Sequence, residues 1–211
     1  MVKQRVVPAV LILAGVAALW AAQTDTQLSD RAIRAYLDQI HGQRGMMNVP
    51  RADGEFLHDF IVKRGYKKGL EVGTSNGYSA IWMGMGLRKM GGRLITLEVD
   101  QRRASLARNN FAHVKLGEVI ELREGDALEI IPQLKGPFDF VFIDAWKPDY
   151  IRYFQLLYPQ IRPGGAILAH NVLSHGKDMQ DFLEVIENHS DLETHIERRS
   201  QAGISVSIKR Q

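Results

Sequence analysis

Five short apolar runs rich in β-forming residues, separated by helical stretches, constrain this chain more than any other feature. The runs are GLEV (69–72), RLITLEV (93–99), VIELREG (119–125), FDFVFID (138–144) and GAILAHN (165–171), and helical patterns fill 77–90, 101–113, 127–135 and 149–161. Strands that alternate with helices at this spacing form a mostly parallel, doubly wound α/β sheet with helices on both faces. LETHIE (192–197) and GISVSIK (203–209) read as two strands joined by a short polar turn. Such a hairpin gives the sheet one antiparallel edge. Upstream, Ser29 or Asp30 can cap a helix with an apolar face of Ile33, Tyr36, Leu37 and Ile40. A second helix after Pro50 carries Phe56, Phe60 and Ile61.

With 211 residues, 45% of them hydrophobic, the chain can bury one sizeable core. It has no Pro/Ser-rich linker, long charge run or internal repeat, so a single domain is expected over 26–211. The 27 basic residues are scattered among 24 acidic ones, with no basic stripe interleaved with aromatics, so no nucleic-acid partner is expected. The absence of cysteine excludes disulfides, thiolate nucleophiles and cysteine-based zinc sites. Lys3 and Arg5 precede an apolar run from Val6 to Ala22, broken only by Pro8 and Gly15 and followed by the polar TDTQLSD. That layout predicts a signal peptide or a membrane anchor over 1–25, and hence a chain that is membrane-associated or exported.

Glycines stand where the first strand meets its helix, in LEVGTSNGYSA. Gly73 and Gly77 let the backbone turn tightly and approach a ligand at the helix start. A dinucleotide fingerprint needs G-x-G-x-x-G to admit a pyrophosphate, and Ser75 stands at its second glycine. The second strand ends in Glu98, placed to accept hydrogen bonds from two ribose hydroxyls. Gly125, Asp126 and Ala127 follow the third strand, where an adenine edge would lie. Any one of these could be an ordinary turn or strand end. Three in order at successive strand ends indicate a cofactor site.

The fourth strand ends in Asp144, followed by Ala145, Trp146 and Lys147, and the fifth ends in His170 and Asn171. In a doubly wound sheet these ends are neighbours beside the cofactor crevice. Carboxylate, imidazole and amide oxygen can together ligate a divalent metal, and a lysine beside that metal can act as a general base. Taken singly, His170 reads equally well as a satisfied core histidine and Lys147 as a solvated cation. Their combination favours a site.

In order and spacing, LEVGTSNGYSA, LITLEVD, EIIPQL, FVFIDAWKPDY and AILAHNV resemble the motifs of catechol O-methyltransferases, and GMMNVP (45–50) resembles that family's cofactor-lid segment. The resemblance covers about 46–209. It implies a Rossmann-like methyltransferase fold and transfer of a methyl group from S-adenosylmethionine to a hydroxyl of a catechol. The Trp before the Lys in DAWKPDY is similar to the catechol subgroup, whereas relatives acting on caffeoyl-coenzyme A usually carry a smaller acidic segment there. The resemblance also implies roles. Val49, Glu71, Ser79 and Glu98 would contact the cofactor, Gly73 and Tyr78 would shape its methionine pocket, and Asp126, Ala127 and Asp144 would complete its site. Asp144, His170 and Asn171 fall on the metal-ligand positions and Lys147 on the base. Trp146 and Met47 would wall the aromatic acceptor, beside Lys147 and Asn171.

The chain also departs from that pattern. His170 stands where the family has Asp, which makes the donor set softer and favours manganese, iron, cobalt or zinc over magnesium. Ala145 stands where the animal enzymes commonly have His. The position of an acidic residue that orients the second hydroxyl aligns with Ile196, one short of Glu197. Two other readings stay open: a cofactor-binding relic without metal-dependent turnover, and a nicotinamide oxidoreductase on the same architecture. Either a monomer or a homodimer suits the pattern. The compartment of the catalytic domain also stays open, because the targeting signal sends it across a membrane while the methyl donor is cytoplasmic.

Overall fold

A computed structural model describes residues 27–211. Seven strands form one sheet: β1 (Lys68–Val72), β2 (Arg93–Glu98), β3 (Ile120–Glu124), β4 (Phe138–Ile143), β5 (Ile161–His170), β6 (Leu192–Glu197) and β7 (Ile204–Lys209). Their order is β3-β2-β1-β4-β5-β7-β6. The first five run parallel, and β7 pairs antiparallel with both β5 and β6. The hairpin therefore folds back so that β7, not the outermost strand, is the reversed one. This is the doubly wound Rossmann-like sheet that the alternation of strands and helices predicts.

Helices α1 (Asp30–His41), α2 (Arg51–Arg64), α3 (Tyr78–Met90) and α4 (Gln101–His113) contribute to one core layer. The short α5 (Ala127–Ile130), α6 (Tyr150–Leu157) and α7 (Gln180–Asn188) cover the other face. Strand β4 shows why a parallel strand reads as an unbroken apolar run: Phe140 and Phe142 enter the first layer, Val141 and Ile143 the second. Ser29 caps α1 by accepting the Ala32 N–H, and Asp100 caps α4 by accepting those of Arg102 and Arg103.

The expected helices 127–135 and 149–161 are each shorter. Both give way to a single 3-10 turn, Ile131–Gln133 and Tyr158–Gln160, that contains a proline. Pro132 and Pro159 lack the N–H that an α ladder requires. Strand β5 accordingly starts earlier than expected, at Ile161, and α7 is an addition to the sequence expectation. Phe182 and Ile186 are the buried residues of α7, one turn apart on a single face.

The targeting segment expected over 1–25 lies outside the described residues. Among the described residues no helix is long and apolar enough to cross a membrane. The expectation of membrane association or export is corrected on that ground.

Candidate functional site

The parallel strands are in register at their carboxyl ends, which sets the site. Val72 lies between Leu97 and Ile143, Ile143 faces Ala169, and Glu98 faces Glu124. The residues that follow are tied to the neighbouring strand by backbone bonds: Gly73 N–H donates to Leu97 O (3.0 Å), Asp144 N–H to Val72 O (2.9 Å) and Gly125 N–H to Glu98 O (2.8 Å). The strand order reverses between β1 and β4, and a crevice opens beyond their ends, where such sheets bind ligands.

That crevice is a cavity of about 1160 Å³. Its wall includes Met47, Val49, Gly73, Tyr78, Ser79, Glu98, Asp126 and Ala127, together with Asp144, Trp146, Lys147, His170 and Asn171. Glu71 does not line it. Its carboxylate is fully buried behind the wall and accepts hydrogen bonds from Ser79 Oγ and Thr96 Oγ1, both at 2.5 Å. Burial pushes the Glu71 carboxyl up to about 8 despite those two hydroxyls. Glu71 therefore supports Ser79 rather than facing the cavity.

At one end of the cavity, the glycine loop alternates left-handed residues: Gly73 (φ 100°), Ser75 (φ 51°) and Gly77 (φ 87°). A Cβ on Gly73 would overlap the Asp144 carbonyl oxygen, so this glycine is required by close strand packing. Glu98, 6% exposed, accepts the Ser75 N–H through Oε2 (2.7 Å) and the Asp100 N–H through Oε1 (2.9 Å). Each of its oxygens keeps a second acceptor position for a ligand hydroxyl. The buried Tyr78 hydroxyl on this wall has no aligned hydrogen-bond partner among the described residues. Asp126 uses its side chain to cap α5, accepting the Leu128 N–H.

At the other end, Asp144 sits between two basic groups. Oδ1 accepts from Lys147 Nζ (3.0 Å), and Oδ2 lies 3.3 Å from His170 Nδ1. Burial would raise the Asp144 pKa, but His170 and Lys147 outweigh it and hold the carboxyl below its ordinary value. Lys147 Nζ also donates to the Tyr150 hydroxyl at 3.0 Å, which fixes the ammonium from two sides. His170, 3% exposed, reaches Asp53 Oδ2 through Nε2 at 2.9 Å. Burial lowers the His170 pKa, but the Asp144 and Asp53 carboxylates outweigh it and push it up to about 9.

Among the described residues no group of three or more His, Cys, Asp or Glu side chains is placed to hold a metal ion. A cation here would need the Asn171 amide as its third donor. The residues present fit that role on one observation: His170 Nδ1 is buried without an aligned hydrogen-bond partner, on the side that faces Asp144. Asn171 adopts a left-handed φ of 65° and donates its Nδ2 to Ser174 Oγ (3.3 Å), leaving Oδ1 as an acceptor.

Trp146 and Met47 stand at the mouth, 70% and 80% exposed. Large apolar side chains so open to water beside a polar floor provide walls for a flat apolar ligand. The sequence expectations omit Thr74, Ser75, Arg103, His175 and Asp178 on the wall and Asp53 behind it. Asp53 carried a legible signal, because it shares the helical spacing of buried Leu57 and Ile61 yet is a carboxylate.

Comparisons with known proteins bear on this geometry. A family model described as O-methyltransferase matches residues 27–199. A catechol O-methyltransferase of Niastella koreensis is 42% identical over 139 residues, covering 64% of this chain and 62% of the relative. Caffeoyl-CoA O-methyltransferase 2 of Zea mays is 31% identical over 137 residues, covering 62% of this chain and 52% of the relative. The matched part thus spans less than two thirds of either curated relative. The O-methyltransferase from Bacillus cereus, solved in complex with SAH, superposes with a TM-score of 0.77 at 26% identity. That alignment covers 92% of this chain and 97% of the other.

Proposed function

Because this chain belongs to the O-methyltransferase family, we propose that it transfers a methyl group from S-adenosylmethionine to a hydroxyl of a vicinal diphenol, assisted by a divalent metal. One observation carries the reading: a single cavity joins Glu98 and the glycine loop at one end to Asp144, Lys147, His170 and Asn171 at the other, with Trp146 at its mouth. The SAH bound by the Bacillus cereus structure and the names of the curated relatives support the methyl donor and the acceptor class.

The cofactor supplies an electrophilic methyl on a sulfonium. Glu98 would accept from the ribose hydroxyls, and the Ser75 N–H that it holds ties the glycine loop to it. Val49, Tyr78 and Ser79 would line the methionine end, and Asp126 and Ala127 the adenine end. Asp144 Oδ2, His170 Nδ1 and Asn171 Oδ1 would hold the metal, whose charge, when bound, lowers the pKa of a ligated hydroxyl. The softer imidazole donor favours manganese, iron, cobalt or zinc over magnesium.

Lys147 Nζ would take up the acceptor's proton, and Asp144 Oδ1 and the Tyr150 hydroxyl would receive the hydrogen bonds of the resulting ammonium. Trp146 and Met47 would stack against the ring and orient one oxygen toward the donor. Both side chains are already exposed, so an acceptor that covers them removes apolar surface from water.

The test is methyl transfer from labelled donor to a simple catechol, with and without chelator, followed by add-back of single divalent ions. Product that disappears with chelator and returns with manganese or cobalt is expected. Full turnover in excess chelator would overturn the metal. Donor binding with no transfer to any diphenol under any ion would favour a second reading, a cofactor-binding relic. The bracketing of the His170 ring by two carboxylates speaks for that alternative, because it favours a retained proton.

A further inference from the structure

His170 stands at the end of β5, buried at 3% exposure. Here it is held by a residue remote in sequence. Asp53 comes from the first turn of α2, its side chain is 1% exposed, and its Oδ2 accepts from His170 Nε2 at 2.9 Å. The same Oδ2 accepts from Ser200 Oγ at 2.6 Å, in the segment between β6 and β7. Ser200 Oγ in turn accepts the Ala202 N–H at 3.1 Å, and Ala202 lines the cavity. Among the described residues this imidazole is the one basic partner of the Asp53 carboxylate, and a buried carboxylate is costly unless it is paired. Asp53 Oδ1 has no hydrogen-bond partner among the described residues, so the carboxylate is not placed to satisfy itself.

An imidazole has two distinct nitrogens, and a hydrogen bond at one decides what the other can do. With Nε2–H donated to Asp53, the lone pair of a neutral ring lies on Nδ1. Nδ1 is buried, lacks an aligned hydrogen-bond partner and lies 3.3 Å from Asp144 Oδ2. A carboxylate behind a histidine that faces a second donor is the arrangement that orients imidazole ligands toward metal ions. We propose that Asp53, supported by Ser200, is a positioning residue that fixes the ring of His170 with Nε2 as its donor and presents Nδ1 to a divalent cation beside Asp144. This assignment rests on the metal-assisted reading above.

The test uses the full chain and Co(II) alone as probe, with affinity read by calorimetry and coordination by the visible absorption of the bound ion. Asp53→Ala is expected to weaken Co(II) binding by about 10–100-fold and to change the absorption band. Asp53→Asn, whose amide oxygen can still accept from Nε2–H, should recover part of that loss. S-adenosylmethionine affinity, measured on the same samples, should stay within about twofold, since Asp53 touches no residue assigned to the donor. Co(II) binding that His170→Ala abolishes but Asp53→Ala leaves unchanged in affinity and spectrum overturns the role of Asp53 alone. Absence of Co(II) binding by the unaltered chain overturns the metal-assisted reading itself. If Asp53→Ala does not fold, nitrogen-15 correlation spectra of the unaltered chain loaded with Zn(II) decide. A proton on Nε2 and metal on Nδ1 support the proposal, and the reverse tautomer refutes it.

Discussion

The backbone N–H of Ser75 donates to Oε2 of Glu98 at 2.7 Å, so the glycine loop after β1 and the carboxylate after β2 form one hydrogen-bonded unit. Ser75 occupies the position at which a dinucleotide site would carry glycine. Its backbone is left-handed, and its N–H is spent on Glu98. Loss of this carboxylate should therefore affect the donor site twice, through the ribose and through the loop. For Glu98→Ala we expect a loss of about 1.5–3 kcal/mol in S-adenosylmethionine affinity by calorimetry. Glu98→Gln, which keeps one oxygen acceptor, should lose less. Unchanged affinity in the folded Ala variant would remove Glu98 from the donor site.

Lys147→Met should preserve the fold, because the stem volume is roughly kept while the ammonium is lost. The hydrogen bonds to Asp144 Oδ1 and the Tyr150 hydroxyl disappear with it. Turnover should fall by about a hundredfold or more, the lower range for removal of a general base. Donor affinity should be unchanged. A variant with near-normal turnover at neutral pH would show that the proton leaves without Lys147.

Glu71 makes stability depend on pH in a defined direction. Its carboxyl is pushed up to about 8 in the folded chain, above the ordinary 4.5, by burial. Between those values the folded state binds a proton that the unfolded state has lost. The contribution is complete below about pH 4.5 and is lost as pH rises through 8. His170, pushed up to about 9 from 6.5, acts with the same sign at higher pH. We expect the Tm to fall between about pH 6 and pH 9, and Glu71→Gln, uncharged throughout, to flatten that fall. An identical slope in Glu71→Gln would show that the buried carboxyl titrates normally.

Gly73→Ala should be among the most destabilising single changes in the chain. The φ of 100° is a conformation that L side chains avoid, and the new Cβ would meet the Asp144 backbone, which cannot yield as a flexible side chain would. A cost of roughly 3 kcal/mol or more is expected, or a Tm lowered by about 6–12 °C. A Tm within two degrees of the unaltered chain would show that β1 and β4 can separate at this point.

Trp146→Ala tests the acceptor wall separately from the fold. At 70% exposure the indole contributes little packing to the free chain, so the Tm should hardly change. The KM for a catechol should rise several-fold, with donor affinity constant, because an aromatic contact of about 0.5–1.5 kcal/mol beyond its area is removed. An unaltered KM would place the acceptor elsewhere in the cavity.

Much of this architecture is written in local pattern. The runs ending at Val72, Glu98, Ile143 and His170 are largely buried and mostly apolar, because helices cover both sides of a parallel sheet, and that pattern is visible without coordinates. The glycines at 73 and 77 and the acids at 98 and 144 are legible for the same reason: strand ends in this topology converge wherever the chain places them. What depends on three-dimensional packing was not legible. Glu71 sits within β1 next to the motif, yet strand alternation and the Ser79 and Thr96 hydroxyls turn it away from the cavity. Pro132 and Pro159 were visible, but the sequence pattern extended helices across both. Asp53 and His170 are 117 residues apart, and only the docking of α2 beside the end of β5 brings the carboxylate to Nε2. Local sequence determines which residues end each strand; packing of distant elements determines which nitrogen of His170 faces Asp53 and which faces Asp144.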